Sequence, residues 1–470
     1  MTTVLTIDQG TSGTKALVVD GDGQVRGLAE RTVRPRYLPG GGVEQDPQAL
    51  LDSVLESGRE AVAAAGIPVD VVTLSNQGET VLAWDPDTGR PLSDLVVWQD
   101  RRAEALCHEL DEHQQTFAER TGLVLDPYFT APKLAWLRRN VTREGVVTTS
   151  DTWLVHHLTG EFVTDAATAG RSLVTDLDTA TWDPELLGLF GLAEERLPAI
   201  VPCDVEVGTT TAFGGTIPVG GLVVDQQAAL VAEGCLEPGE AKCTFGTGAF
   251  LLANTGTTAA RSSAGLAACV AWQVGGETTY CIDGQVYTAA SAVRWMEQLG
   301  YIRTAADMDA VAAEDAEGVL AVPALAGLGA PWWRPDAKAS VTGMTLSTTV
   351  GHLVTAILQG IAAQVAELGT AVERDLGRPL TRLRVDGGLT QCRTLMQAVA
   401  DLMQVEIELY PSPHATPLGA AALARIAHEP GLALAEAVVP WAPSLVYSPR
   451  WSADRAAEFR ARWNAAAATA

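Results

Sequence analysis

One local device stands near the start of each half of the chain and constrains its fold more than any other feature. Residues 4–7 (Val-Leu-Thr-Ile) are β-rich and end at Asp8. Residues 9–14 form a turn of small hydrogen-bonding residues, and residues 15–20 run on as a second β-rich segment. Residues 241–245 lead in the same way into Gly246-Thr247-Gly248, followed by residues 249–254. A strand–turn–strand unit repeated at this distance points to two related domains, each opened by a hairpin. The 470 residues leave room for both, at roughly 100–200 residues per domain.

Between and after the hairpins, strand and helix patterns alternate. Residues 69–75, 222–224 and 382–385 read as strands. Residues 103–120, 132–139, 226–233, 291–299, 350–376 and 392–403 carry helical apolar spacing, and the Ala/Arg-rich residues 451–470 predict a terminal amphipathic helix. The mixture predicts an α/β fold. No Pro/Ser linker separates the halves, so the domains are expected to pack around a shared cleft.

Charge narrows the partners. Lys and Arg total 32 against 57 Asp and Glu, a formal net charge of −25. Such a surface repels phosphate backbones and anionic lipid, so neither nucleic acid nor a membrane surface is expected as partner. A small anion still fits a basic site inside an acidic body. Cysteines stand at 107, 203, 235, 243, 269, 281 and 392, odd in number and with no CxxC pair. That spacing disfavours a disulfide framework or thiolate metal site and fits a cytoplasmic protein. The first ten residues lack a basic region followed by an apolar core, the mark of a signal peptide. Long uncharged stretches are rich in Gly and Thr, so no membrane span is expected.

Several segments carry candidate chemistry, each with a plain structural alternative. The turn from Asp8 to Lys15 holds glycines that expose N–H groups, the hydroxyls of Thr11 and Ser12, and a cation, which together suit a phosphate; it is equally a polar hairpin. Asp8 ends its strand where a carboxylate could hold Mg²⁺ or its waters. The GxxxxGK[ST] and GxGxxG patterns are absent, so a nucleotide would bind in another fold. Asp225 follows an apolar strand and precedes a helix, as an N-cap would or as a carboxylate at the end of a buried strand, where α/β clefts place their chemistry. Glu79 and Trp98 lie in polar clusters after β-like runs and suit a hydroxylated ligand as well as they suit surface loops. No HExxH or GxSxG motif occurs.

Taken together, these segments resemble the FGGY carbohydrate kinases, and most nearly their glycerol kinase branch. The resemblance runs almost end to end. It is carried by DQGTSGTKALVVD, SNQGETVLAWDPDTGRPL, VVWQDRR, TGLVLDPYFTAPKLAWL, DTWLVHHLTG, DQQAALVAEGCLEPGEAKCTFGTGAFLLANTG, VPALAGLGAPWW and RVDGGLTQCRTLMQAVAD. It implies two actin/hexokinase-like (ribonuclease H-like) ATPase domains, 1–226 and 227–470, around a cleft where ATP and a sugar or polyol meet. The last helix is expected to pack back on the first domain. By the same resemblance Asp225 is the catalytic base and Asp8 the Mg²⁺-associated aspartate. Thr11, Ser12, Lys15 and Thr247 bind phosphate, and Gly388 forms the adenosine-side turn. Glu79, Trp98, Tyr128, Asp225, Gln226 and Phe250 contact the polyol. A homo-oligomer, dimer or tetramer, is expected.

The sequence also departs from that branch. Lys15 replaces an Arg. Gly78 replaces the Arg of an NQRET motif, which removes one or two charge-assisted hydrogen bonds of about 1.5–3 kcal/mol each. The vacated volume is expected to admit a longer polyol or a sugar. Ala290 and Arg294 replace a Gly and a Gln, and Cys392 replaces an Asn near the adenine. The expected activity is ATP-dependent phosphorylation of a terminal hydroxyl. The alternatives are a tetritol, pentitol or ketopentose kinase, and a sensor that binds polyol or nucleotide without turnover.

Overall fold

The computed structural model describes residues 2–470. Strands β1 (Val4–Gly10), β2 (Gly13–Val19) and β3 (Val25–Thr32) form an antiparallel meander. The first hairpin sets Asp8 opposite Lys15 and Gly10 opposite Gly13. Helix α1 (Pro47–Ala65) covers β2 and β3. It begins at Asp46, whose carboxylate accepts from the Gln48 and Ala49 N–H groups, has Pro in its first turn, and stops at Gly66 with φ 64°. Strand β4 (Val71–Asn76) returns parallel to β1 with Ser75 opposite Asp8. All six of its residues are buried, which fits a central parallel strand covered on both faces. Strands β5 (Glu206–Thr210), β6 (Ile217–Gly220) and β7 (Val223–Val224) complete the sheet, in the order β5-β6-β4-β1-β2-β3 with β7 on the end of β4. A second, five-stranded sheet is built from short strands between Arg36 and Thr149.

The second half repeats the plan. Helix α2 (Asp225–Ala232) leads to β8 (Ala241–Phe245), β9 (Ala249–Gly256), β10 (Ala267–Val274) and β11 (Glu277–Val286), with β12 (Arg382–Asp386) parallel to β8. Strands β13 (Glu406–Leu409) and β14 (Leu445–Tyr447) finish the sheet, in the order β10-β11-β9-β8-β12-β13-β14. In both sheets a hairpin is followed by a parallel partner of its first strand. Helix α3 (Val350–Leu376) runs through the core of this half. A Thr349–His352 capping box starts it and Gly377, at φ 65°, ends it. Among the described residues it alone has the length and apolarity to cross a membrane, but 83% of that apolar window is buried in the protein.

Residues 226 and 227, between which the two domains are expected to part, both lie in α2. Two expectations change. The helix expected over 103–120 is broken into Glu104–Glu109, a 3-10 turn Asp111–His113 and Gln114–Thr121, because the chain turns at Leu110, whose N–H closes back on the Cys107 and His108 carbonyls. The final helix does not pack on the first domain. That helix, α5 (Ala453–Ala468), lies on the second, where the buried Trp463 indole donates to the Ala321 carbonyl at 2.9 Å and Arg334 donates to the Ala467 carbonyl. The crossover is made instead by α4 (Ala415–His428), which packs on β1, β4 and α2. Ala421 and Ala424 of α4 join Val4, Leu17, Val19 and Val71 in one apolar cluster. Gly419 makes the α2–α4 approach feasible: a Cβ there would lie 1.7 Å from the Ala228 carbonyl oxygen.

Candidate active site

The cleft between the halves holds a cavity of about 210 Å³. Its walls bring together Thr11, Ser12, Glu79, Trp98, Tyr128, Asp225, Gln226, Thr247 and Phe250, drawn from both halves of the chain. Asp8, Lys15 and Gly388 do not line it. Asp8 ends β1 beside Ser75 and Lys15, and the Lys15 ammonium pairs with Glu30 at 3.2 Å. Gly388 lies beyond β12 on the second domain, exposed, with open space where a Cβ would stand. Its neighbour Gly387, at φ 94°, abuts Phe245, where a Cβ would lie 2.4 Å from the carbonyl oxygen.

Aromatic rings form one side. Trp98 stands edge-on to Tyr128 at 5.6 Å and to Phe250 at 6.0 Å, and its indole donates to the Thr11 hydroxyl at 2.8 Å. The first hairpin turn is thus tied to the ring that walls the cavity. Tyr128 is fixed from below by Lys133, fully buried, which donates to the carbonyls of Pro127, Tyr128 and Phe129. Burial pushes that lysine down to about 8. Glu79 is buried and held at φ 58°, a left-handed conformation that a non-glycine residue adopts at a cost and keeps where its surroundings impose it.

Carboxylates gather around Asp225, which lines the cavity, with Asp8 and Asp386 behind it. Asp225 is the first residue of α2, one place past the N-cap position taken by Val224. Burial raises its pKa, against the opposing charge of Lys242, the Gln226 N–H and the charge of Arg171. Asp8 is pushed up to about 7 by burial and then by the charge of Asp225, with Asp386 adding and Lys15 and Ser75 opposing. Asp386 Oδ1 has no hydrogen-bond partner. Hard oxygen donors with surplus negative charge fit a divalent cation. Among the described residues no three metal-binding side chains converge to make a full cage. That arrangement suits a cation shared by one or two carboxylates, water and phosphate, as Mg²⁺ is.

The second hairpin is held open by its neighbours. The Thr247 carbonyl accepts from the Ala289 N–H at 3.0 Å and the Ser291 hydroxyl at 3.1 Å, and Gly246 accepts from the Ala290 N–H. Arg294 reaches the cleft edge from the helix that follows. Cys392 is buried with its thiol toward Asp309.

Sequence reasoning missed Arg171. It is 4% exposed, lines the cavity, and donates to Glu79, Asp283 and the Tyr128 hydroxyl. The signal was a single Arg in the otherwise small and apolar stretch 166–174. Gly78 lines the same cavity, where a Cβ would stand 3.8 Å from Arg171 Cδ and Nε and 3.0 Å from Val224 Cγ2.

Two lobes of related topology, with paired hairpins and gathered carboxylates between them, define an α/β enzyme of the actin/hexokinase-like ATPase fold. The relatives make the assignment narrower. The model of the FGGY family of carbohydrate kinases, N-terminal domain, matches residues 3–232, and that of the C-terminal domain matches residues 241–428. Glycerol kinase from Bordetella parapertussis is 41% identical over 98% of this chain and 96% of its own length, and that from Thermus brockianus is 39% identical over 98% and 97%. The crystal structure of Plasmodium falciparum glycerol kinase with ADP matches with a TM-score of 0.90 at 31% identity, covering 99% of this chain and 97% of that one. Xylulose kinase from Rhodospirillum rubrum shares the fold, with a TM-score of 0.86 at 24% identity over 99% and 98%. The chain belongs to the FGGY family of carbohydrate kinases, and it is a kinase that phosphorylates an alcohol group.

Proposed function

We propose that the chain transfers the γ-phosphoryl group of ATP to a terminal hydroxyl of a small polyol, with glycerol as substrate. The observation that carries this reading is the small cavity in which Glu79, Trp98, Tyr128 and Phe250 stand beside Asp225 and across from Thr247. Acceptors and aromatic faces suit the hydroxyls and carbon edges of a polyol, and the Gly/Thr turn at 246–247 suits phosphate. Full-length relatives named glycerol kinase support the same substrate.

In this reading Asp225 accepts the proton of the attacking hydroxyl, a role suited to a carboxylate whose pKa is raised toward the working pH. Glu79 and Tyr128 fix the remaining hydroxyls, and Trp98 and Phe250 hold the carbon chain and exclude water. Thr11, Ser12, Lys15 and Thr247 face the phosphates, and Gly388 leaves room on the adenosine side. Asp8, with Asp225 and Asp386 near it, would hold Mg²⁺. When bound, that ion neutralises charge on the phosphoryl oxygens, and phosphoryl transfer needs little beyond positioning and electrostatics. The seven free, buried cysteines suit the reducing cytoplasm, and the enzyme is proposed to act there as a homo-oligomer.

A coupled ADP-release assay over glycerol, erythritol, xylitol and D-xylulose tests the reading. Glycerol should give the highest kcat/KM. Release that no polyol or ketose stimulates would remove the kinase reading in favour of a binding protein.

A further inference from the structure

Two cysteines face each other behind the wall of the cavity. Cys269 of β10 and Cys281 of β11 are partners in the antiparallel register, both fully buried, with their sulfurs 3.6 Å apart. Directly opposed residues in such a ladder have Cα atoms about 4.5–5.5 Å apart, inside the roughly 4.4–6.8 Å span that disulfides bridge. Closing the pair to the bonded length of about 2.05 Å therefore asks for side-chain rotation and no new path of the backbone. No other two cysteine sulfurs are in contact among the described residues. Cys269 also touches the cleft. Arg171 Nη1 and Gln227 Nε2 both donate to its sulfur, each at 3.6 Å. Arg171 and Gln227 line the cavity, so a molecule the size of water that enters there meets them with the sulfur one contact behind. A guanidinium and an amide N–H converging on one cysteine sulfur is a setting in which that sulfur attacks an electrophile. The Cys281 thiol is pushed well up by its contact with Cys269 and then by burial, so it keeps its proton until its partner has reacted.

We infer that Cys269 and Cys281 form a modification site, a thiol pair that hydrogen peroxide converts to a cross-strand disulfide, with activity lowered in the oxidised protein. The Cys269 sulfur attacks one peroxide oxygen, the O–O bond breaks, one water leaves, and Cys269 becomes a sulfenic acid. The Cys281 sulfur then attacks the Cys269 sulfur. The S–S bond forms, the S–O bond breaks, and the hydroxyl leaves with the Cys281 proton as a second water. The two thiols lose two electrons, and the peroxide gains them. A small dithiol reverses the bond by exchange. The new bond draws the Cys269 sulfur toward β11 and away from its two donors. Gln227 stands two residues after Asp225 in α2, and Arg171 donates to Glu79, so both sides of the acceptor site are disturbed.

The test is mass mapping of the whole folded protein after exposure to hydrogen peroxide, with catalase to stop the reaction and denaturation in an alkylating reagent. Cutting after Arg261 and Arg294 gives one peptide, 262–294, that holds both cysteines and no others. It should escape alkylation and weigh two hydrogens less than its reduced form, and prior reduction should restore two alkylation sites. Two alkylated cysteines in this peptide, or Cys269 carried on to sulfinic acid beside an alkylated Cys281, overturns the inference. In the same samples kcat/KM for glycerol should fall about threefold or more, the effect of displacing groups around a reacting centre, and dithiothreitol should restore it. A disulfide with unchanged activity overturns the switch. Cys269→Ala with Cys281→Ala should keep its activity under peroxide, and a loss equal to that of wild type also overturns it. If that variant does not fold, the wild-type time course decides, since activity has to fall in step with the mass change. The activity arm rests on the proposed function and the mass arm does not. Wild type inert to every alcohol removes that function, and the mass of one peptide still judges the disulfide.

Discussion

The ammonium of Lys242, on β8, lies 2.6 Å from the side-chain oxygen of Gln226 and 2.8 Å from the Thr244 hydroxyl, sealed from solvent. Gln226 follows Asp225 in α2, so the lysine holds the residue beside that carboxylate and places a positive charge near it. That charge is the largest influence opposing burial at Asp225. Lys242→Met preserves length and apolar stem but removes the charge, which should raise the Asp225 pKa further. A base works in its ionised form, so activity is lost as pH falls through that pKa. The acid limb of the kcat profile should therefore move to higher pH. A limb that stays in place, or moves to lower pH, would show that Lys242 does not act on the base.

Asp225→Asn separates a structural role from a chemical one. The amide keeps the size and the polar oxygen at the start of α2, so melting should be unchanged or slightly higher. Turnover with glycerol should fall by about 10²–10⁴-fold. A variant that retains more than about a tenth of the wild-type kcat would strip Asp225 of its role as base.

Gly419→Ala tests the crossing of α2 and α4. The added methyl would meet the Ala228 carbonyl oxygen at 1.7 Å and its carbon at 2.6 Å, backbone atoms that cannot rotate aside. Overpacking of this kind costs about 1–3 kcal/mol or more. Melting should drop accordingly, and kcat should fall with it because α2 begins at Asp225. Wild-type stability in this variant would mean that the helices can separate without penalty.

Away from the cleft, Asp165 caps the helix Ala166–Ala169 by accepting from the Ala167 and Thr168 N–H groups, and it is 1% exposed. Burial and then the neighbouring Asp151 push its pKa up to about 6. The folded state thus keeps a proton that the unfolded chain loses near the ordinary value of 3.8. On this group's account, stability falls as pH rises from about 4 to about 6 and stays at the lower level above. Asp165→Asn keeps an acceptor for the cap and carries no charge. At about 1.4 kcal/mol per pH unit, and allowing for relaxation, the variant should gain about 1–2 kcal/mol at pH 8. The gain should be smaller at pH 5. Equal gains at both, measured by denaturant melts, would sink the linkage.

Much of this architecture was legible in the residues. The two hairpins announce themselves because Gly and Thr turns interrupt β-rich runs, and residues 350–376 are bounded by a cap at Thr349 and a stop at Gly377. Helix α4 was not legible. Its Ala-rich sequence is buried against α2 and the first sheet, so it lacks the polar face that makes a helical period visible. The destination of the last helix was misread for a related reason: amphipathicity shows that a helix packs, not on which domain. Glu79 and Trp98 stood out as polar clusters after β-like runs and Tyr128 and Phe250 came from motif resemblance, whereas Arg171 came from neither. Its partners Glu79 and Asp283 stand 92 and 112 residues away in sequence, and only the fold brings them together.

Because α4 is encoded near the end of the chain yet covers the first sheet, the order of synthesis matters. A fragment ending at residue 232 would carry Val4, Leu17, Val19 and Val71 without the alanines that seal them. Such a fragment should bind a hydrophobic dye and aggregate; a soluble monomer would show that another segment covers this face. On the ribosome, roughly 10–40 s of elongation at about 5–20 residues per second separates the first lobe from its covering helix. Through that interval the nascent chain presents an open apolar sheet, and its survival depends on whatever shields emerging polypeptides rather than on its own contacts.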